Sequence, residues 1–381
     1  MALYVCHDGD PFDISADSLE IYSVGRISDT AAMNPSETAH AAVVAEPPSL
    51  PLVEVKRAVQ RQFGLGGVYV PLVSERDQNF RLRTPSDSEY VVKITSSAEP
   101  KIVTDFHIAA LKHLEHIAIP QVPTVVRTLD GQDSADIEHA GATHKLRVVS
   151  FLAGVPLANV QMDQESVRDL GAVLARLDIG LQDFSHAGER PRLLWDLQRA
   201  TELSELLDYI TDRRVHLAVK KALRDFEDFV LPELDQLRTQ VIHGDANPGN
   251  VLLDPHSHRV TGDIDFGDAV RAPLIFDVAI AAAYLRGARA DPLELVTPFV
   301  DAYHATNPLE DAEIALLFDL LRARLATTIT LLFWRLSARH DSDAYRQKTL
   351  DEEADAVRFL GTLDATGRDE FTARLARATP C

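Results

Sequence analysis

The residue types best suited to chemistry lie in two short stretches, His243-Gly244-Asp245-Ala246-Asn247-Pro248-Gly249-Asn250 and Asp263-Ile264-Asp265-Phe266-Gly267-Asp268. An Asp followed five residues later by Asn, then a second acidic cluster, suits metal-assisted phosphoryl transfer. That chemistry needs a carboxylate to orient the attacking hydroxyl and accept its proton, and oxygen ligands to hold Mg²⁺ against nucleotide phosphates. Asp245 fits the first role; Asn250 and Asp265 fit the second.

The residues between the stretches would bring those ligands together. Val251-Leu252-Leu253 is an apolar run, Asp254-Pro255-His256-Ser257-His258 is turn chemistry, and Arg259 to Ile264 can return as the second strand of a hairpin. With the turn centred near Ser257 and His258, Asn250 and Asp265 come out opposite each other at the open end.

These segments resemble the catalytic and metal-binding segments of the aminoglycoside phosphotransferase and choline kinase group. Within it, Ser74-Glu75-Arg76-Asp77-Gln78-Asn79-Phe80 and Ile264 to Asp268 look most like hydroxylysine kinases and the phosphotransferase domains fused to aminotransferases. The similarity runs from about Leu52 to Leu336. It implies an α+β, protein-kinase-like bilobal fold: a small antiparallel β N-lobe with one main helix, over residues 51–153, and a larger, mainly helical C-lobe over residues 154–381. It also implies a purine nucleotide donor, ATP or GTP, with Mg²⁺ as cofactor.

The N-lobe pattern agrees in outline. Val55, Val59 and Phe63 recur at helical spacing, and the strands expected next are Val68 to Val73, Asn79 to Arg83 and Glu89 to Ile94. The turn between the first two lacks the glycines of a protein-kinase loop, so phosphate cover would come from backbone N–H groups and the side chains of Ser74, Arg76 and Gln78. A surface hairpin turn is the plainer alternative. Lys93, flanked by apolar strand residues, resembles the strand lysine that grips phosphates. On the following helix, residues 100 to 116, the family pattern would place a Glu near position 107 to pair with that lysine, but this chain has His107. Asp105 or Glu99 could substitute, or His107 could bond the lysine as a neutral acceptor. Pro120 to Leu129 and Lys145 to Leu152 read as the last N-lobe strands, around a polar insertion from Asp130 to Thr143. Ser150, Phe151 and Leu152 would meet the purine edge through the backbone at a hinge ending in Gly154.

The C-terminal half reads as helical. Val167, Leu170, Leu174, Leu177 and Leu181 form an apolar seam after the N-cap candidate Asp163. Helices are expected around Trp195 to Thr211, Val215 to Leu231, Ile275 to Leu285, Leu293 to His304 and Asp311 to Ala338. The face Ile314, Leu317, Leu321, Leu325, Thr328 and Leu332 is read as packing.

Four further residues near the acidic cluster carry open readings. Asp268 could ligate a second metal, hold a substrate ammonium in the pocket, or cap a helix; the pocket is preferred. Arg271 could contact a substrate carboxylate. Asp263 is expected to face solvent, and Asp277 to be a buried acid bonded to catalytic-loop backbone. His243 is read as supporting the loop, and Asn247 as lining the site or making a turn.

Composition narrows the class. The 381 residues carry 38 Lys and Arg against 58 Asp and Glu, a net charge of −20, which disfavours general nucleic-acid binding and would attract a cationic substrate. Cys6 and Cys381 stand near opposite ends, so no disulfide framework is indicated, which suits the cytoplasm. No apolar run has the length of a membrane span. Residues 1–50 hold eight acidic residues and one Arg and are expected to be a poorly ordered tail. Met33, which opens a more ordinary polar leader, is a second candidate start. The leading expectation is a kinase that phosphorylates a hydroxyl of an amino-containing small molecule. Hydroxylysine is the first candidate acceptor by resemblance, with aminoglycosides, choline, ethanolamine and homoserine as alternatives. A non-catalytic nucleotide-binding module is the rival from another class. A protein kinase is disfavoured because nothing after Asp268 resembles a long activation segment.

Overall fold

Helix α1 (Leu52–Phe63) buries Val55, Ala58, Val59 and Phe63 on one face and ends at Gly64, whose φ of 69° lets its N–H close on the Gln60 carbonyl at 3.1 Å. In the computed structural model the described residues are 47–74, 76–286, 291, 293–338 and 343–378. The acidic tail up to residue 46, with Met33, lies outside them.

Strands β1 (Val68–Leu72), β2 (Gln78–Arg83) and β3 (Glu89–Thr95) form an antiparallel meander. Helix α2 (Lys101–His116) follows, then β4 (Val125–Val126), β5 (Ala135–His139) and β6 (Ala142–Ser150). The sheet order is β1-β2-β3-β6-β4, with β5 also on β6. The insertion read as polar from Asp130 to Thr143 thus contains a strand. Residues 140 and 141 both take positive φ, which turns β5 back onto β6. Phe80, Leu82, Val92, Ile94, Leu146 and Val148 are almost fully buried against α1. Each such side chain contributes roughly 1.5–3 kcal/mol.

Past Ser150 the chain passes through β7 (Val155–Pro156) into α3 (Gln164–Leu181). Asp163 caps α3 in a reciprocal box with Ser166. Gly171 allows α6 (Leu293–Thr306) to pack closely on α3, since a Cβ there would stand 2.3 Å from the Phe299 carbonyl. The segment expected as a helix from Trp195 is a 3₁₀ helix, Leu197–Tyr209. Its apolar residues Leu197, Ala200, Leu203 and Leu206 recur every third position, the period that keeps them on one face of a three-residue turn.

Helix α4 (Arg213–Phe229) leads to β8 (Thr239–Ile242), and the hairpin β9 (Val251–Leu253) and β10 (Val260–Asp263) follows. β9 pairs with both β10 and β7, while β8 pairs with β11 (Val270–Pro273). Helices α5 (Ile275–Ala283), α7 (Asp311–Ala338), α8 (Asp343–Thr366) and α9 (Arg368–Ala378) complete the C-lobe. Leu317, Leu321, Ala323, Leu325, Ala326 and Ile329 of α7 are fully buried. A helix buried on all sides is the centre of its lobe. No helix among the described residues is long and apolar enough to cross a membrane.

Candidate active site

The loop between β8 and β9 presents Asp245 because of two local constraints. Gly244 has φ 76°, and a Cβ there would meet the Asp268 carbonyl at 2.5 Å, so the loop and the second acidic cluster press together only with glycine. Asp277, wholly buried in the first turn of α5, accepts from His243 N at 3.0 Å and Gly244 N at 2.8 Å, the backbone-bonding role expected for it. His243 is also fully buried. Its Nδ1 accepts from Asp245 N at 3.2 Å, its Nε2 lies 3.5 Å from Asp263 Oδ1, and its ring meets Phe266 edge-on. Burial alone would lower the imidazole pKa, but the carboxylates of Asp263 and Asp277 raise it on balance.

Asp245 is buried and its oxygens are differentiated. Oδ2 accepts from Asn247 Nδ2 at 2.8 Å and Asn250 Nδ2 at 2.9 Å, while Oδ1 faces Arg324 Nη2 at 3.3 Å. Burial and then the nearby Asp268 charge push its pKa up to about 6. Asn247 both lines the site and makes the turn, since its Oδ1 accepts from Gly249 N at 2.7 Å.

The hairpin delivers the second acid. Ile264 N donates to the Asn250 carbonyl at 2.9 Å, which sets Asp265 just past Asn250. Asp265 takes φ 69°, a left-handed conformation that a non-glycine residue adopts at a cost of about 1–3 kcal/mol. Burial would raise its carboxyl pKa, yet Lys93 and Arg76 hold it well below the usual range; Lys93 Nζ donates to Oδ1 at 3.0 Å. A divalent cation fits the donor set on one further observation. Asn250 spends its amide hydrogens on Asp245, leaving Oδ1 buried with no partner among the described residues. No group of three or more His, Cys, Asp or Glu that could hold a metal ion exists among the described residues. A pair of protein oxygens completed by phosphate is the usual Mg²⁺ arrangement.

Lys93 resolves the His107 question. His107 is 1% exposed, both ring nitrogens lack partners among the described residues, and burial with the nearby Arg147 and Arg76 charges lowers its pKa well below the usual value. Asp105 pairs with Lys101, and Glu99 accepts from Thr104. The acid that stands in is Asp77, in the β1–β2 turn, 3.7 Å from Lys93 Nζ and 3.3 Å from Arg147 Nη2.

The rest of that turn divides. Arg76 reaches across the lobes to Asp268 Oδ1 at 2.7 Å. Ser74 Oγ accepts from Asp77 N at 3.3 Å. Gln78 is not brought to the site, because its amide is spent on both main-chain groups of Leu50. At the hinge, Phe151 N donates to the Glu89 carbonyl and Ser150 Oγ accepts from Thr124 N, so those groups are committed within the sheet; Leu152 packs at Gly262.

Two further sequence expectations are corrected. Arg271 does not line the cleft: Glu189 takes its Nε and Nη2, and the Thr239 and Phe184 carbonyls take the rest of its fork. Asp263 is 2% exposed rather than facing solvent, because it turns inward to His243 and its backbone N–H bonds the Gln121 carbonyl.

Beyond Asp245 opens a cleft of about 490 Å³, open mouth included, lined by Trp195, Asp268, Tyr284, Arg324, Arg335 and Glu352 among others. Arg324 went unnoticed in the sequence. The available signal was Arg324, Thr328 and Arg335, polar residues at helical spacing along α7.

Residues 69–317 match the family model described as the phosphotransferase enzyme family. The hydroxylysine kinase of Danio rerio is 26% identical over 341 residues, 86% of this chain and 95% of that relative. The homoserine kinase of Methylobacillus flagellatus is 29% identical over 243 residues, 63% of this chain and 70% of that relative. Among solved structures, the amicoumacin kinase hAmiN in complex with AMP-PNP, Ca²⁺ and Ami aligns over 84% of this chain and 95% of its own, with a TM-score of 0.64 at 20% identity. That likeness establishes the bilobal kinase-like fold.

Proposed function

The chain belongs to the phosphotransferase enzyme family and is a kinase with an alcohol acceptor, and from that premise we propose that it moves the γ-phosphoryl of ATP or GTP to a hydroxyl of an amino-containing metabolite. Hydroxylysine is the first candidate, in line with the Danio rerio relative. Homoserine, aminoglycosides, choline and ethanolamine are the alternatives.

The observation that carries this reading is the setting of Asp245. Its Oδ2 is fixed by Asn247 and Asn250, and it stands at the inner end of a cleft lined by both acids and arginines. In the reaction the acceptor oxygen bonds to the γ-phosphorus as the bond to the bridging oxygen breaks, and the nucleoside diphosphate leaves with that electron pair. Asp245 orients the hydroxyl and takes its proton. Asn250 Oδ1 and Asp265 would hold Mg²⁺, which when bound would neutralise charge on the phosphates. Lys93 grips phosphate oxygens, and the turn carrying Ser74 and Arg76 closes over them. With Ser150 N and Phe151 N committed to the sheet, the purine edge falls to the hinge backbone from Leu152 onward.

The non-catalytic alternative drew on His107, and Asp77 weakens it by supplying Lys93 with a carboxylate. The test is release of nucleoside diphosphate with Mg²⁺ and ATP or GTP across 5-hydroxylysine, homoserine, choline, ethanolamine and an aminoglycoside. Asp245→Asn should lower turnover at least about a hundredfold with nucleotide affinity preserved. Undiminished turnover in that variant refutes the assignment, and nucleotide binding without transfer to any acceptor favours the regulatory module.

A further inference from the structure

Arg324 is an unusual neighbour for a general base. Its side chain is 1% exposed, and its guanidinium lies over the faces of Trp195 and Tyr284, with centroids at 5.2 and 5.6 Å. Nη1 donates to the Trp195 carbonyl at 3.1 Å, and Nη2 donates to the Tyr284 hydroxyl at 3.1 Å and to Asp245 Oδ1 at 3.3 Å. Nε has no partner among the described residues.

Two physical consequences follow. A buried cation costs several kcal/mol unless a carboxylate compensates it, and the carboxylate that Arg324 reaches is Asp245. Conversely, Asp245 has Oδ2 bound by two amides and Oδ1 held by a cation, so both oxygens are engaged before any hydroxyl arrives. A second anion at Arg324 would relieve both, because a planar guanidinium can donate two parallel hydrogen bonds to a carboxylate and its two aromatic faces already fix its plane.

Resting on the kinase reading above, we propose that the acceptor carries a carboxylate, that Arg324 is its receptor, and that this contact draws the guanidinium from Asp245 so that Oδ1 can take the hydroxyl proton. The acceptor class is therefore a hydroxylated amino acid rather than a simple amino alcohol. Its ammonium has acids to meet in the same cleft, which Asp268 and Glu352 line. Without such an acceptor Arg324 keeps Asp245 occupied, which disfavours attack by water on the γ-phosphorus.

The experiment compares the full-length protein with Arg324→Met and Arg324→Lys. Acceptors are 5-hydroxylysine, homoserine and 1,5-diaminopentan-2-ol, which is 5-hydroxylysine without its carboxylate, and a fourth arm has nucleotide and Mg²⁺ alone. Thermal denaturation and nucleotide affinity report that each variant is folded. The wild-type protein should favour a carboxylate-bearing acceptor over the diamine by at least about a hundredfold in kcat/KM. Arg324→Met should compress that ratio to within about fivefold and raise acceptor-free nucleotide hydrolysis, with Arg324→Lys between the two. Equal use of the diamine by the wild-type protein overturns the inference and leaves the kinase reading standing. Equal loss of both acceptors in Arg324→Met, with hydrolysis unchanged, also overturns it, since that is a structural role. If no acceptor is phosphorylated and acceptor-free hydrolysis does not depend on Asp245, both readings fail.

Discussion

Asp277 offers the sharpest quantitative test of how the loop presenting Asp245 is held. Its carboxylate accepts two backbone N–H groups, from His243 and Gly244, in a place where no side-chain atom meets solvent. Replacing it by Ala removes both hydrogen bonds and leaves two buried donors unsatisfied. At roughly 1.5–3 kcal/mol for each charge-assisted bond the loss is about 3–6 kcal/mol. Some of that is returned, because Asp263 lies close enough for the Asp277 charge to raise its carboxyl pKa, and that repulsion disappears. A net cost of about 3 kcal/mol is the expectation, a large fraction of the stability of a typical domain. Urea denaturation at pH 7, followed by tryptophan fluorescence and by far-UV dichroism, would measure it as a lower midpoint. Turnover of the folded fraction should fall as well, since Asp245 hangs from the same loop. An Ala variant within about 0.5 kcal/mol of wild type would mean that the two N–H groups find other partners and that the loop does not depend on Asp277.

Other perturbations have defined outcomes. Burial and the Asp277 charge raise the Asp178 pKa well above its ordinary value, so the folded state holds a proton there that the unfolded state releases above pH of about 4. Stability linked to Asp178 is therefore complete below that pH and declines as pH rises toward the folded pKa. Asp178→Asn should flatten the decline, seen as a smaller loss of melting temperature between pH 5 and pH 8; an unchanged slope refutes it. Asp77→Ala should reduce kcat/KM for nucleotide about tenfold, and adding His107→Glu should recover part of it by restoring a carboxylate from α2; no recovery would show that position 107 cannot reach the lysine. Arg271→Met should cost about 1–3 kcal/mol through Glu189 yet leave the acceptor KM within about twofold, and a selective rise in KM would return Arg271 to the substrate site. Removing the α3 cap with Asp163→Ala should cost about 1 kcal/mol, read from the denaturation midpoint.

How far the sequence revealed this molecule depended on whether an interaction was local. The β9–β10 hairpin was legible because the apolar run, the turn residues and the return strand are contiguous, and its register placed Asn250 beside Asp265 without further information. Asp277 was legible for a similar reason, as an acid in the first turn of an otherwise apolar helix. The errors concern side chains whose partners are distant in the chain. Asp263 looked solvent-facing until His243 came to meet it from the other stretch. Gln78 looked like a phosphate contact, but Leu50 claims its amide from 28 residues away. Arg271 is held by Glu189, 82 residues earlier. Arg324 was hidden differently: its helix is buried nearly all round and carries other buried charges such as Asp319 and Arg322, so the periodicity that marks a buried face carried no contrast until Thr328 and Arg335 were set beside it.

Two ionic ties between the lobes among the described residues, Lys93 to Asp265 and Arg76 to Asp268, bear on the order in which ligands bind. Before nucleotide arrives, each acid already has a cation against it, so a dication approaching alone meets little net negative charge. On the proposed reading, phosphates engaging Lys93 and Arg76 would give those cations new anions and release the carboxylates. Nucleotide entry would then be an exchange of partners that creates the charge a dication requires. The two affinities are linked, and linkage is reciprocal. Titrating nucleotide at low and high Mg²⁺, and Mg²⁺ at low and high nucleotide, should return the same factor, with the pair entering as a complex in preference to either ligand alone.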